Sequence, residues 1–568
     1  MKFNPFQIIL AFLLLVPASL IAQQNPFTGG QVHGSFQLDA AYYQTDSKLG
    51  ITDSLLAGKV FRMNSFGRVT YTNGRFEAGL RFEAYLPPLA GFDTRYDGLG
   101  IPNYYVKYSW DKLEVTAGNF YEQFGNGLIL RIYEEWQLGI DNSIRGLRVK
   151  YKPAKGVIIT GIYGVQRYFW EPYFDGNRGI VRGIDAEWFL NESIKGMADM
   201  KTKFILGASF VSNYEKDPQK KTIIDSTVYA YKLPRNISAA SGRLNIIHGG
   251  FSLITEYAYK INNPSAMNDY IYKTGEAFFI TLSYSRKGLG LMLTAKRIDN
   301  MSYKSKSSVV GNELDINYLP PLTTQQVYSL ATMYPYASQP NGEMGLQGQI
   351  VYTIPKKSKL GGKYGTKIKL DYANIGSIDM QPIAPGVPIG QSGTKGYTSD
   401  FFKRGDQHFY QEFDVLLSKK FNKKWKAVVA YVYQNSNIEV VEGHIGEPDV
   451  HANIAIADVT YKITPTKSLR FEYQQLFTKQ DNGNWVMGLV EFNVAPHWFF
   501  TLMDEYNYGN PEEAMQLHYY NTAFAYVRGA TRIAMGYGRQ REGLLCVGGV
   551  CRQVPASNGF TLTITSTF

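Results

Sequence analysis

Apolar and polar residues alternate with a period of two along almost the whole chain. In RFEAGLRFEAYL (75–86), Arg75, Glu77, Gly79, Arg81, Glu83 and Tyr85 fall on one face, and Phe76, Ala78, Leu80, Phe82, Ala84 and Leu86 on the other. In TKIKLDY (366–372), Lys367, Lys369 and Asp371 oppose Ile368, Leu370 and Tyr372. In SLRFEYQQLF (468–477), Arg470, Glu472 and Gln474 oppose Leu469, Phe471 and Tyr473. Period two marks half-buried strands. Packed sandwiches alternate in the same way, so the connections must discriminate. They alternate between tight links, at 73–74, 110–112, 153–156, 248–250, 286–288, 421–424, 465–467, 496–497 and 529–530, and long ones, at 44–59, 87–102, 122–143, 169–179, 215–234, 263–274, 300–343, 377–404, 436–452 and 541–557. That pattern predicts an all-β protein: a transmembrane antiparallel β-barrel with short periplasmic turns and long extracellular loops. Strands of roughly 9–13 residues suit a tilted crossing, and about 24 of them can be placed, within a range of about 22–26. The inner connections 191–201 and 355–365 are long for turns and the outer link 479–484 is short, which sets that range. Only closure satisfies every backbone group in lipid. The fixed repeat of a solenoid is absent.

Both ends of the chain extend the expectation. MKFNPFQIILAFLLLVPASLIAQQ has an early lysine, an apolar run from Ile8 to Val16 and small residues up to Ala22, which is the layout of a signal peptide spanning 1–22. Residues 23–568 then form a single barrel domain, with no composition shift to mark a linker. The last stretch, GFTLTITSTF, puts Phe560, Leu562, Ile564 and Phe568 on one face, expected to meet lipid. This strand is expected to pair with 31–43 and remove the open edge, and its final aromatic resembles the end signal that barrel-assembly machinery reads. The formal charge of +11 is spread over the chain, so nucleic acid is not an expected partner.

Candidate chemistry concentrates in the link after the fifth strand. Residues 121–143 mix Glu122, Arg131, Glu134, Glu135 and Asp141 with Leu128, Ile129, Leu130 and Trp136, more apolar content than a solvated loop needs. A loop folded into the lumen explains it. With Arg145 and Arg148 it would form a constriction whose opposed charges select small polar or anionic solutes. A surface loop with ordinary salt bridges is the other reading. Cys546 and Cys551 flank Val-Gly-Gly-Val, a tight reversal that brings the sulfurs together, so a disulfide is expected on an oxidising export route. It would shape the last outer loop into a knob that packs in the lumen or meets a partner. The seven histidines are scattered, and neither an H-E-x-x-H nor a G-x-S-x-G motif occurs. No metal, cofactor or catalytic set is expected. The Tyr-, Pro- and Gly-rich loops 300–343 and 377–404 read as a rigid cover or as surfaces for sugars or peptides.

Three stretches together carry a family resemblance: FEAGLRFEAYLPPLAGFDTRYDGLG (76–100), AGNFYEQFGNGLILRIYEEWQLGIDNSIRGLRVKY (117–151) and GRQREGLLCVGGVCRQVPASNGFTLTITSTF (538–568), with Cys-Val-Gly-Gly-Val-Cys as the most specific mark. They resemble an uncharacterised family of outer-membrane β-barrel proteins from the Bacteroidota. The resemblance implies the fold and an outer-membrane location in a Gram-negative cell, and no activity. The leading functional expectation is a porin-like channel for small polar or anionic solutes, in contact with outer-membrane lipid. A non-conducting barrel within a secretion or assembly complex, meeting a protein partner through its long loops, is the second. A membrane-embedded hydrolase is a minor third, and the protein is not expected to be an enzyme.

Overall fold

The computed structural model describes residues 29–56, 58–173, 178–216, 218–224 and 227–568; the expected signal peptide lies outside them. Alternating polarity is realised as 24 strands in one antiparallel sheet, from Gln31–Tyr43 to Ser557–Thr567. The sheet closes on itself: Leu38 pairs with Ile564 and Tyr42 with Phe560. Gly34 N–H donates to the Phe568 carbonyl at 2.7 Å, and Phe568 N–H returns the bond at 2.9 Å. The first and last strands therefore meet where the sequence places them, and among the described residues the 24-stranded sheet keeps no open edge. Among the described residues, no helix is long and apolar enough to cross a membrane.

Tight turns gather at one end of the barrel and long links at the other. The sequence pattern did not single out one long link, 507–517. It also overestimated another. Residues 377–404 were expected as a loop, but strands Thr366–Gln381 and Thr398–Lys420, 16 and 23 residues long, run into it from both ends. Register shifts between Ile375 and Met380 bend this ladder, and the hairpin continues past the wall, so only 382–397 connect its strands.

The two faces differ as their alternation demands. Around the turn end, exterior aromatics pair across strands, Phe251 with Tyr284, Trp425 with Tyr461 and Trp498 with Tyr526, each with ring centroids 4.4 Å apart. Such a girdle suits the interface between lipid and water. Lumenal charges pair across the ladder. Arg470 bonds Asp458 at 3.2 Å and Glu491 at 2.9 Å on the neighbouring strands.

Glycine shapes the wall where loop 121–143 leaves it. Gly118, Gly146 and Gly164 are direct partners across three strands. A Cβ on Gly146 would stand 1.9 Å from the Tyr163 carbonyl oxygen, which is backbone and cannot swing away. Gly146→Ala is expected to cost about 1–3 kcal/mol as the ladder is forced apart. Urea unfolding in detergent measures it; an unchanged midpoint would show that the strands relax freely.

Candidate functional site: the filled lumen

A barrel of this circumference is too wide for wall side chains to meet across it. Chain segments fill the space instead. In loop 121–143, Leu128, Ile129 and Leu130 are fully buried. With Phe124 they pack on Met301, Tyr303 and Ile316 of the link after strand Leu289–Asp299. Both segments rest on an apolar patch of the inner wall formed by Val181, Val211, Ile237, Ala239, Ala258, Ala277 and Ile298. The two loops are also stitched by backbone: Arg131 N–H donates to the Ile316 carbonyl at 2.8 Å, and Tyr318 N–H to the Gly127 carbonyl at 2.9 Å. Asn317 Nδ2 donates to the Leu128 carbonyl at 3.1 Å.

The link 300–341 then reaches a different part of the wall. Tyr328, Leu330, Ala331 and Tyr334 pack against Val432, Val450, Ile454, Leu476, Trp485 and Met487. Leu330 N–H donates to Gln474 Oε1 at 2.9 Å. The segment expected as a cover is thus a lumenal insert anchored at two apolar patches.

The disulfide knob sits on this insert. Cys546 and Cys551 are bonded within the hairpin Gly543–Val547/Val550–Val554. Tyr318 Oη donates to the Gly548 carbonyl at 2.6 Å, Gln325 Nε2 to the Cys546 carbonyl at 3.0 Å and Asn312 Nδ2 to the Cys551 carbonyl at 2.7 Å.

A buried ionic cluster ties loop 121–143 to the opposite side of its exit. Arg81 bonds Glu134 and Asp141 of the loop and, at 2.7 Å, Glu83 of its own strand. Arg167 reaches Glu83 and Asp141, both at 2.7 Å. Arg68 bonds Glu134 at 2.6 Å. Burial alone pushes the Asp141 carboxyl up, but Arg81 and Arg167 outweigh it and hold the group below the usual carboxylate range. Glu134 is likewise held down, by Arg81 and Arg68 against its burial.

The other expected constriction residues are placed as follows. Arg148 bonds Glu122 at 2.5 Å and Glu114 at 2.6 Å. Arg131 lies over the Tyr318 ring, 3.8 Å from its centroid. Glu135 Oε1 accepts from Gln137 N–H at 3.2 Å and caps the short turn Trp136–Leu138. Arg145 stands apart from this group. It follows lumenal Ile144 and shares a face with Leu147, so its guanidinium lies outside the wall between the Tyr104 and Tyr173 rings, 4.2 and 3.9 Å from their centroids. Phe560, Leu562 and Ile564 share the exterior face opposite Tyr42, Ala40 and Leu38, and the Phe568 ring covers Gly34. The sequence reading did not single out the lumenal carboxylates Asp371, Glu412 and Asp414, which the pairing of two strands brings together.

Comparison with solved structures finds other barrels at low identity. The siderophore receptor PirA from Pseudomonas aeruginosa is 9% identical, with a TM-score of 0.40 over 96% of this chain and 81% of that one. The P pilus usher (PapC) translocation pore is 8% identical, with a TM-score of 0.40 over 94% and 99%. OccAB3 from Acinetobacter baumannii is 8% identical, with a TM-score of 0.34 over 95% and 100%. These likenesses concern the fold alone. No curated protein matches the sequence. A family model does match, over residues 6–568, and the chain belongs to the family of unknown function DUF6029.

Proposed function

We propose that this protein is a self-plugged transport barrel of a Gram-negative outer membrane, with its long loops outside, through which small polar or anionic solutes pass only when the insert moves. The observation that carries this reading is the apolar packing of segments 121–143 and 300–341 on the inner wall. A loop that merely narrows an open channel keeps its charges facing water. Here Glu134 and Asp141 are instead consumed in pairs with Arg81 and Arg167. Toward the turn end, the wall keeps partly exposed lumenal charges such as Glu77, Lys107 and Glu114, which suit a wet vestibule.

Planar-bilayer recording of the purified full-length protein tests the reading. Wild-type barrels are expected to show no sustained conductance, and deletion of 305–336 to produce stable openings. Sustained wild-type openings would restore the constricted-porin reading. A barrel that stays silent after the deletion would support a structural component of a secretion or assembly complex.

A further inference from the structure

We propose that the inner wall binds a divalent cation of the calcium class among Asp371, Glu412 and Asp414. Asp371 and Asp414 are direct partners across strands Thr366–Gln381 and Thr398–Lys420, and Glu412 lies two residues before Asp414 on the same face. One carboxylate oxygen from each residue lies within 4.8 Å of the other two. Oxygen ligands about 2.3–2.6 Å from a shared calcium ion fit within this limit, whereas magnesium dehydrates reluctantly and is not usually held by a buried cage of protein oxygens.

Among the described residues, the three buried carboxylates face one nearby cation, Lys369. Asp371, Glu412 and Asp414 are 1%, 1% and 7% exposed. Like charges directly opposite one another in a ladder repel, and buried carboxylates need partners. Neutral donors take their outer oxygens. Gln347 and Gln349 donate to the two oxygens of Asp371 at 3.0 and 2.8 Å. Gln326 donates to Asp414 Oδ2 at 2.8 Å, and Tyr410 to Glu412 Oε2 at 2.8 Å. Glu412 Oε1 and Asp414 Oδ1 are left buried without a hydrogen-bond donor. A residue outside the acidic cluster adds to this. Gln434, 1% exposed, pairs with Glu412 across the next ladder, and its amide lies 3.3 Å from that carboxylate. Its Nε2 also donates to the Ala331 carbonyl of the insert at 2.9 Å, and its Oε1 is buried without a partner. Lys369, on the same strand face as Asp371, directs its ammonium to Thr324 Oγ1 at 3.3 Å. The amide and phenol donors orient the carboxylates as outer-shell partners do at metal sites. Gln326 belongs to the insert, so an ion here would also steady the insert against the wall; the site itself does not rest on the transport reading.

Calorimetric titration of chelator-stripped, full-length barrel in detergent with CaCl2, and separately with MgCl2, tests the proposal. The expected result is one Ca2+ per barrel, bound at least tenfold more tightly than Mg2+. Asp371→Asn/Asp414→Asn keeps side-chain size and is expected to abolish the calcium heat while retaining the fast-migrating folded band on unboiled gels. Asp414→Asn alone serves if the double variant does not fold, with at least a tenfold loss of affinity. Absence of stoichiometric calcium binding to wild type, equal binding of the two metals, or undiminished binding by the variants would each overturn it. If the carboxylates merely share protons, wild type shows no calcium heat.

Discussion

Arg167→Ala is expected to lower unfolding stability by about 3–5 kcal/mol, because it strands buried negative charge. Arg167 and Glu83 are each only 1% exposed, and the guanidinium grips both Glu83 and Asp141. Its removal leaves Arg81 as the one remaining cation facing both acids. Arg167→Lys keeps the charge but loses the fork, so an intermediate loss is expected. Glu83→Gln/Arg167→Met removes charge on both sides and should recover part of the stability, since a matched neutral pair lacks the stranded carboxylate. Urea midpoints with unchanged slopes measure all three. The pH dependence has a defined sign. Asp141 has a folded-state pKa held below its unfolded value of about 3.9, so its contribution is present above that value and fades as pH falls toward the folded one. The gap between wild type and Arg167→Ala should therefore be full at neutral pH and shrink below about pH 4. A gap that is small at neutral pH, or that grows in acid, would contradict this account.

Ile129→Asp is expected to release the insert and leave the wall standing. Ile129 is fully buried between Leu128, Leu130 and the inner wall. A carboxylate has no partner there, and burying it costs several kcal/mol, more than the packing of one loop returns. The wall has its own closed ladder and does not depend on this residue, so the folded band on unboiled gels should persist. Bilayer conductance and proteolysis within 121–143 should both rise. Ile129→Val, expected to cost only about 0.5–1.5 kcal/mol, should stay silent. If Ile129→Asp remains folded, protected and silent, the apolar packing is not what holds the insert.

The wall was legible because alternation needs only local sequence. Arg75, Glu77, Arg81 and Glu83 could be assigned to one face before any partner strand was known, and the pairing of 31–43 with the final strand follows from closure alone. The apolar triplet Leu128–Leu130 pointed to a lumenal fold for loop 121–143, although a surface loop stayed open as the other reading. Residues 300–341 were harder. Met301, Tyr303 and Ile316 carry no periodicity, and the small residues that receive them, such as Ala258 and Ala277, come from other strands and look like ordinary strand positions. The same distance problem hid Asp371 from Glu412 and Asp414, which only the pairing of two bulged strands makes neighbours. Arg145 shows the limit of reading charge as lumenal. Its place beside Ile144 turns it outward, where Tyr104 and Tyr173 shield the guanidinium.

The knob has a mechanical consequence. Its second arm ends at Val554 and the closing strand begins at Ser557, so only Pro555 and Ala556 separate the knob hairpin from the seam between the two ends of the wall. Tension that lifts Gly548 from Tyr318, or Cys546 from Gln325, passes through this short tether to the pairing of Gly559 with Tyr43. Any pull strong enough to free the insert from the knob side therefore loads the seam.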